Sequence, residues 1–72
     1  MSPSVQIKQL LVRHMDDAKV RPADLARAMG VPPQNITRLT DLNHVTKIDT
    51  LADAFRAMGV ELKIELKPLE VA

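Results

Sequence analysis

Residues 22–39 read Pro-Ala-Asp-Leu-Ala-Arg-Ala-Met-Gly-Val-Pro-Pro-Gln-Asn-Ile-Thr-Arg-Leu. They spell two short helices joined by a turn too tight for most residues. Ala26 stands where a bulky side chain would hold the helices apart. Four residues later Gly30 takes the positive φ that ends the first helix. Val31 tucks into the turn, and Pro33 restarts the chain in a first-helical-turn position. Leu25, Met29, Ile36 and Leu39 are then expected to point into one small core. The pattern is that of a helix-turn-helix, whose second helix is held out to lie in a DNA major groove.

With Ile36 and Leu39 inward, Gln34, Asn35, Thr37 and Arg38 are left on the outer face. Gln, Asn and Arg are the side chains able to make paired hydrogen bonds to base edges, so these four are the candidate base contacts. Gln34 suits an adenine or a phosphate, and Arg38 a guanine. A face that served only solubility would more usually be Glu and Lys. The competing structural reading is a helical corner with no nucleic-acid role.

A chain of 72 residues makes one domain with little surface to bury, which favours oligomerisation. Hydrophobic residues make up 46%, yet Phe55 is the one aromatic, so the core is expected to be aliphatic. The absence of cysteine leaves neither a disulfide framework nor a thiolate metal site. No run has transmembrane length, and Met-Ser-Pro-Ser-Val-Gln-Ile lacks the regions of a signal peptide, so a cytoplasmic location without membrane contact is expected. Net charge is only +1, but it is unevenly spread. Residues 1–47 hold seven Lys and Arg against four Asp, or +3, and residues 48–72 hold three against five, or −2. The helix-turn-helix half is the electropositive one, and a dimer would double its charge on one face.

Four helices and one strand are expected. The first covers about Ser4 to Asp17, with Ile7, Leu10, Leu11, Met15 and Ala18 as its apolar stripe and Ser2 or Ser4 as its cap. The second covers Pro22 to Met29 and the third Pro33 to Thr40. After the loop 41–45, Thr46 caps the fourth helix, Asp49 completes a capping box, and Ile48, Leu51, Ala52, Phe55 and Met58 form the buried stripe up to Gly59. Thr46 and Lys47, at the positive end of that helix, form a phosphate seat that Asn43 and His44 can also reach.

Beyond Gly59 the period changes to two. Val60, Leu62, Ile64 and Leu66 alternate with Glu61, Lys63, Glu65 and Lys67 until Pro68. A lone strand leaves its backbone groups unpaired, and the pattern asks for a second copy of itself. With the two-fold axis at Ile64, Glu61 faces Lys67 of the mate, Lys63 faces Glu65 and Leu62 faces Leu66. A frayed tail, or pairing with the Val5–Ile7 end, is the alternative. The organisation is therefore residues 1–59 as the DNA-binding domain, 60–67 as the dimerisation strand and 68–72 as a tail.

The run Gly30-Val31-Pro32-Pro33-Gln34-Asn35-Ile36-Thr37-Arg38-Leu39, with His44-Val45-Thr46-Lys47-Ile48-Asp49-Thr50, resembles the C-terminal DNA-binding domain of HicB antitoxins, within the Cro and phage-repressor class. The resemblance covers about residues 5–67. It implies a mainly α, four-helix domain of that class with a C-terminal strand that pairs across a dimer. It also implies a repressor of its own toxin–antitoxin operon, binding double-stranded operator DNA. The partner it implies, a messenger-RNA-cleaving HicA toxin, is met in this family through an N-terminal domain for which this chain has no room. Relatives in the repressor class often begin the second helix with Thr-Gln, whose Gln bonds a phosphate; here Pro22-Ala23 stands there, and Arg21 supplies charge nearby.

No enzyme is expected. His14 borders an apolar stripe, His44 has only Asp41 and Asp49 at hand, and neither set gives metal spacing or a nucleophile–base pair. No cofactor and no metal are called for. The rival function is a helix-turn-helix module that docks protein and not DNA.

Overall fold

A computed structural model describes residues 2–69 as four helices, α1 (Pro3–Asp17), α2 (Pro22–Met29), α3 (Pro33–Thr40) and α4 (Ile48–Ala57). The architecture is mainly helical, with no strand among the described residues, and is compatible with a helix-turn-helix fold. Residues 70–72 of the expected tail lie outside the described part.

Start signals in the sequence set the helix boundaries. Ser2 caps α1, its hydroxyl accepting from the Val5 N–H at 3.4 Å. Pro22 and Pro33 open α2 and α3, where a missing N–H costs nothing. At the start of α2 the Asp24 carboxylate accepts from the Arg21 backbone N–H at 3.2 Å, and this bond is the main cause that holds its pKa below the ordinary 3.8.

Three helices end in the same way. Lys19, Gly30 and Gly59 take left-handed conformations with φ of 57°, 70° and 78°. Each is followed by a valine whose N–H reaches back to the carbonyl five residues earlier: Val20 to Met15 at 2.8 Å, Val31 to Ala26 at 3.0 Å and Val60 to Phe55 at 3.0 Å. The three valines then pack on the core, closing each turn with an apolar contact.

The core joins Ile7, Leu11 and Met15 of α1, Leu25 and Ala26 of α2, Ile36 and Leu39 of α3, and Leu51, Ala54 and Phe55 of α4. Helix α2 packs on α3 and α4, and α1 packs on α3 and α4. The buried face of α1 departs from expectation, for it runs Ile7, Lys8, Leu11, Met15, while Leu10 is 53% exposed and Ala18 is exposed beyond the helix end. Residues 8, 11 and 15 fall in one row of a 3.6-residue helix, and Leu10 lies about 100° round from Leu11. The stripe of α4 is likewise narrower: Ala54 joins it, Ala52 and Met58 are half-buried, and Ile48 is exposed. Met29 also reaches only the edge of the core.

The expected strand is corrected for the single chain. Residues 60–69 carry no ladder, and the alternative partner, Val5–Ile7, is inside α1, where its N–H and C=O groups serve the helix. Val60 and Leu62 pack against the core, whereas Ile64, Leu66 and Leu69 are 63%, 101% and 91% exposed. Lys63 and Glu65, two residues apart, pair with each other at 3.1 Å.

Candidate nucleic-acid interface

Helix α3 is held by its apolar side. Ile36 and Leu39 are buried in the same core as Leu25 and Ala26 of α2, on which α3 packs, and this fixes which way the rest of α3 points. Gln34, Thr37 and Arg38 are exposed and Asn35 is half-buried. Thr40 ends the helix by returning its hydroxyl to the carbonyls of Ile36 and Thr37, at 3.1 and 3.2 Å.

The loop that follows is a built turn. The Asp41 carboxylate accepts from the Asn43 N–H at 2.9 Å, and the Asp41 carbonyl accepts from the His44 N–H at 3.1 Å. Asp41 thereby shapes the loop with its own side chain. The chain then enters α4 with Lys47 at the cap position.

A cleft of about 260 Å³ runs between α3 and this loop, and Asn35, Arg38, His44, Thr46, Lys47 and Thr50 line it. The fold thus gathers two expected base contacts and three expected phosphate contacts along one opening. Gln34 and Thr37 stand outside it on the exposed part of α3, and Asn43 stands at the loop tip. Arg21 is separate, at the start of α2, where its guanidinium meets Asp24 at 3.4 Å.

The expected Thr46–Asp49 capping box does not form. Helix α4 begins one residue later than that motif requires, its first turn has no side-chain cap, and the Thr46 hydroxyl is buried without a hydrogen-bond partner. The first N–H groups of α4 are therefore left for another acceptor. The acidic Asp49 in that same turn opposes an anion, while Lys47 favours one.

One contact escaped the sequence reading altogether. Lys8 of α1 is 1% exposed, and its ammonium donates to the carbonyls of Arg38 at 3.1 Å, Asp41 at 2.8 Å and His44. The available signal was a lysine three and seven residues from Leu11 and Met15, inside an apolar row.

His14 is half-buried beside Phe55, with ring centroids 6.4 Å apart, as a boundary residue of the core. Among the described residues no three His, Asp or Glu side chains converge as a metal site would require. None of the described helices is long and apolar enough to cross a membrane.

No family model matches the chain. Among curated proteins, it is 43% identical over 61 residues to the Antitoxin HicB 2 of Photorhabdus laumondii, covering 85% of this chain and 44% of that protein. It is 39% identical over 64 residues to the Antitoxin HicB 1 of the same organism, covering 89% of this chain and 41% of the relative. The Antitoxin HicB of Escherichia coli K12 is 43% identical over 61 residues, again with 85% and 44% covered. The chain spans less than half the length of these relatives, and over most of its own length it is homologous to a segment of proteins named HicB antitoxins.

Proposed function

We propose that this chain binds a palindromic DNA operator as a homodimer, placing α3 in the major groove, and so represses transcription of a toxin–antitoxin operon. The observation that carries the reading is the outward face of α3. Three polar side chains able to read bases lie on a short helix whose opposite side is locked into the core. Arg38 and Gln34 read base edges, with Asn35 and Thr37 beside them. His44 and Lys47 hold the DNA backbone at the mouth of the cleft, where the expected contact from Thr46 is lost because its hydroxyl is buried, and Asn43 and Arg21 add contacts on either side. The uncapped start of α4 supports a phosphate there.

Dimerisation runs through residues 60–67, whose backbone carries no ladder and whose exposed Ile64 and Leu66 call for a second copy. Antiparallel pairing about Ile64 redistributes the Lys63–Glu65 pair across the two chains, and burial of the apolar face drives association. Homology to proteins named antitoxins supports a regulatory role in a toxin–antitoxin system. A toxin of the HicA type is the further partner that this homology suggests.

The rival reading, a protein-docking module, draws support from Val12 and Leu42, 42% and 43% exposed at the edge of a second cleft. Fluorescence anisotropy with DNA from upstream of the chain's own gene, and with random DNA, separates the two. Arg38→Ala should weaken specific binding by roughly 1–3 kcal/mol and random binding much less. Equal loss on both reassigns Arg38 to a phosphate. Binding to neither DNA, with the Val12–Leu42 face sensitive to substitution in a protein complex, supports the docking module.

A further inference from the structure

Helix α3 differs from the other three at its C-terminus. Helices α1, α2 and α4 each close on a left-handed residue that ties up their last carbonyls. Helix α3 instead runs into Asp41 at φ −83° and ψ 113°, with no left-handed residue there. Its last turn is held by local donors, the Asp41 N–H on the Arg38 carbonyl at 3.3 Å and the Thr40 hydroxyl on those of Ile36 and Thr37, and the Arg38 carbonyl has a second lone pair to offer.

Lys8 donates to it. An ammonium has three N–H bonds, and here it meets three acceptors: the carbonyl of Arg38 in the last turn of α3, that of Asp41 just after it, and that of His44 three residues on. Among the described residues no carboxylate lies within ion-pair distance of it, so backbone dipoles solvate the buried charge. The negative end of α3 adds to that solvation. One side chain of α1 therefore grips both the helix bearing the base-reading residues and the loop leading to Lys47.

We infer that Lys8 is a positioning residue for DNA recognition, holding the end of α3 and the 41–47 loop in the one arrangement that lets Arg38 and the loop residues engage the same stretch of DNA. It never touches the nucleic acid. This inference rests on the DNA-binding reading above, and it makes a separate claim about the loop.

The test compares wild type, Lys8→Met and Lys8→Gln in the full chain. The probe is duplex DNA from upstream of the chain's own gene, titrated at several salt concentrations well below each variant's melting temperature. Amide hydrogen exchange of residues 41–47 is followed in parallel. Lys8→Met should weaken binding about tenfold or more, as expected for losing charge-assisted hydrogen bonds. It should also flatten the salt dependence by about two phosphates' worth of slope, and quicken exchange in 41–47 while leaving α2 unaffected. Lys8→Gln, which keeps two donors, should fall between.

A lowered melting temperature with unchanged salt slope and unchanged loop exchange would make Lys8 a stabilising residue only and overturn the inference. If Lys8→Met does not fold, the wild-type chain decides. Its Lys8 ammonium protons should exchange far more slowly than those of Lys47 and Lys63, and equal rates overturn the inference. Failure of the wild-type chain to bind DNA would overturn the DNA reading instead, with loop exchange still judging the grip of Lys8 on 41–47.

Discussion

Replacing Gly30 by alanine isolates the conformational cost of the turn between α2 and α3. Gly30 sits at φ 70°, and a Cβ built there meets nothing within 4 Å. The penalty is therefore the intrinsic one for an L-residue in the left-handed region, about 1–2 kcal/mol. Alanine restricts the unfolded chain and returns about 0.4–1 kcal/mol of that. A net loss of about 1 kcal/mol is expected, which for a domain this small lowers the melting temperature by roughly 4–8 °C. The mirror experiment is Lys19→Gly. Lys19 holds φ 57° with an exposed side chain, so glycine should stabilise the fold by about 1 kcal/mol, the same two effects with signs reversed. Thermal unfolding followed by circular dichroism measures both. Gly30→Ala without effect would show that residue 30 is not left-handed, and a loss above about 3 kcal/mol would reveal a clash that the open space around it excludes.

Lys47→Ala should weaken binding to specific and random DNA alike and flatten the salt dependence by about one unit of slope, as anisotropy titrations will register; an unchanged slope removes Lys47 from the phosphate contacts. Ile64→Lys should abolish the dimer and full-operator binding together, read by sedimentation and anisotropy, although residue 64 contacts no DNA; a dimeric variant shows that the interface lies elsewhere. The depressed pKa of Asp24 means that its hydrogen bond to Arg21 supports the fold above the unfolded value near 3.8 and ceases to do so as pH falls through the lower folded value. Melting temperatures of wild type and Asp24→Asn should accordingly differ at neutral pH and converge in acid, and a gap that persists in acid would assign the effect to some other contact.

The helix boundaries were legible because Ser2, Pro22, Pro33, Gly30 and Gly59 act locally, through a missing N–H, a capping hydroxyl or a permitted positive φ. The outward face of α3 followed from two residues, Ile36 and Leu39, once the period was known. Lys19 was not legible, because its left-handed conformation is imposed by the closing contact of Val20 and is not a preference of lysine. Lys8 and Leu10 exchanged places for a similar reason. Hydropathy puts a lysine outside, and the carbonyls that solvate this one lie 30, 33 and 36 residues away in sequence. Thr46 matched a capping motif, yet its hydroxyl turns inward and α4 starts after it. The alternation of 60–67 was visible as a strand pattern, but a ladder needs a second segment to bond with, and none of the described residues supplies one.

A hydroxyl-radical footprint of the chain on DNA from upstream of its own gene reads symmetry and spacing of the bound protein at once. Two copies joined through residues 60–67 should protect two patches on one face of the duplex, about one helical turn or 34 Å apart. Protection should vanish together at both patches as salt rises. A single patch, or uniform protection without a preferred site, would contradict the account of a dimeric reader of a palindromic operator.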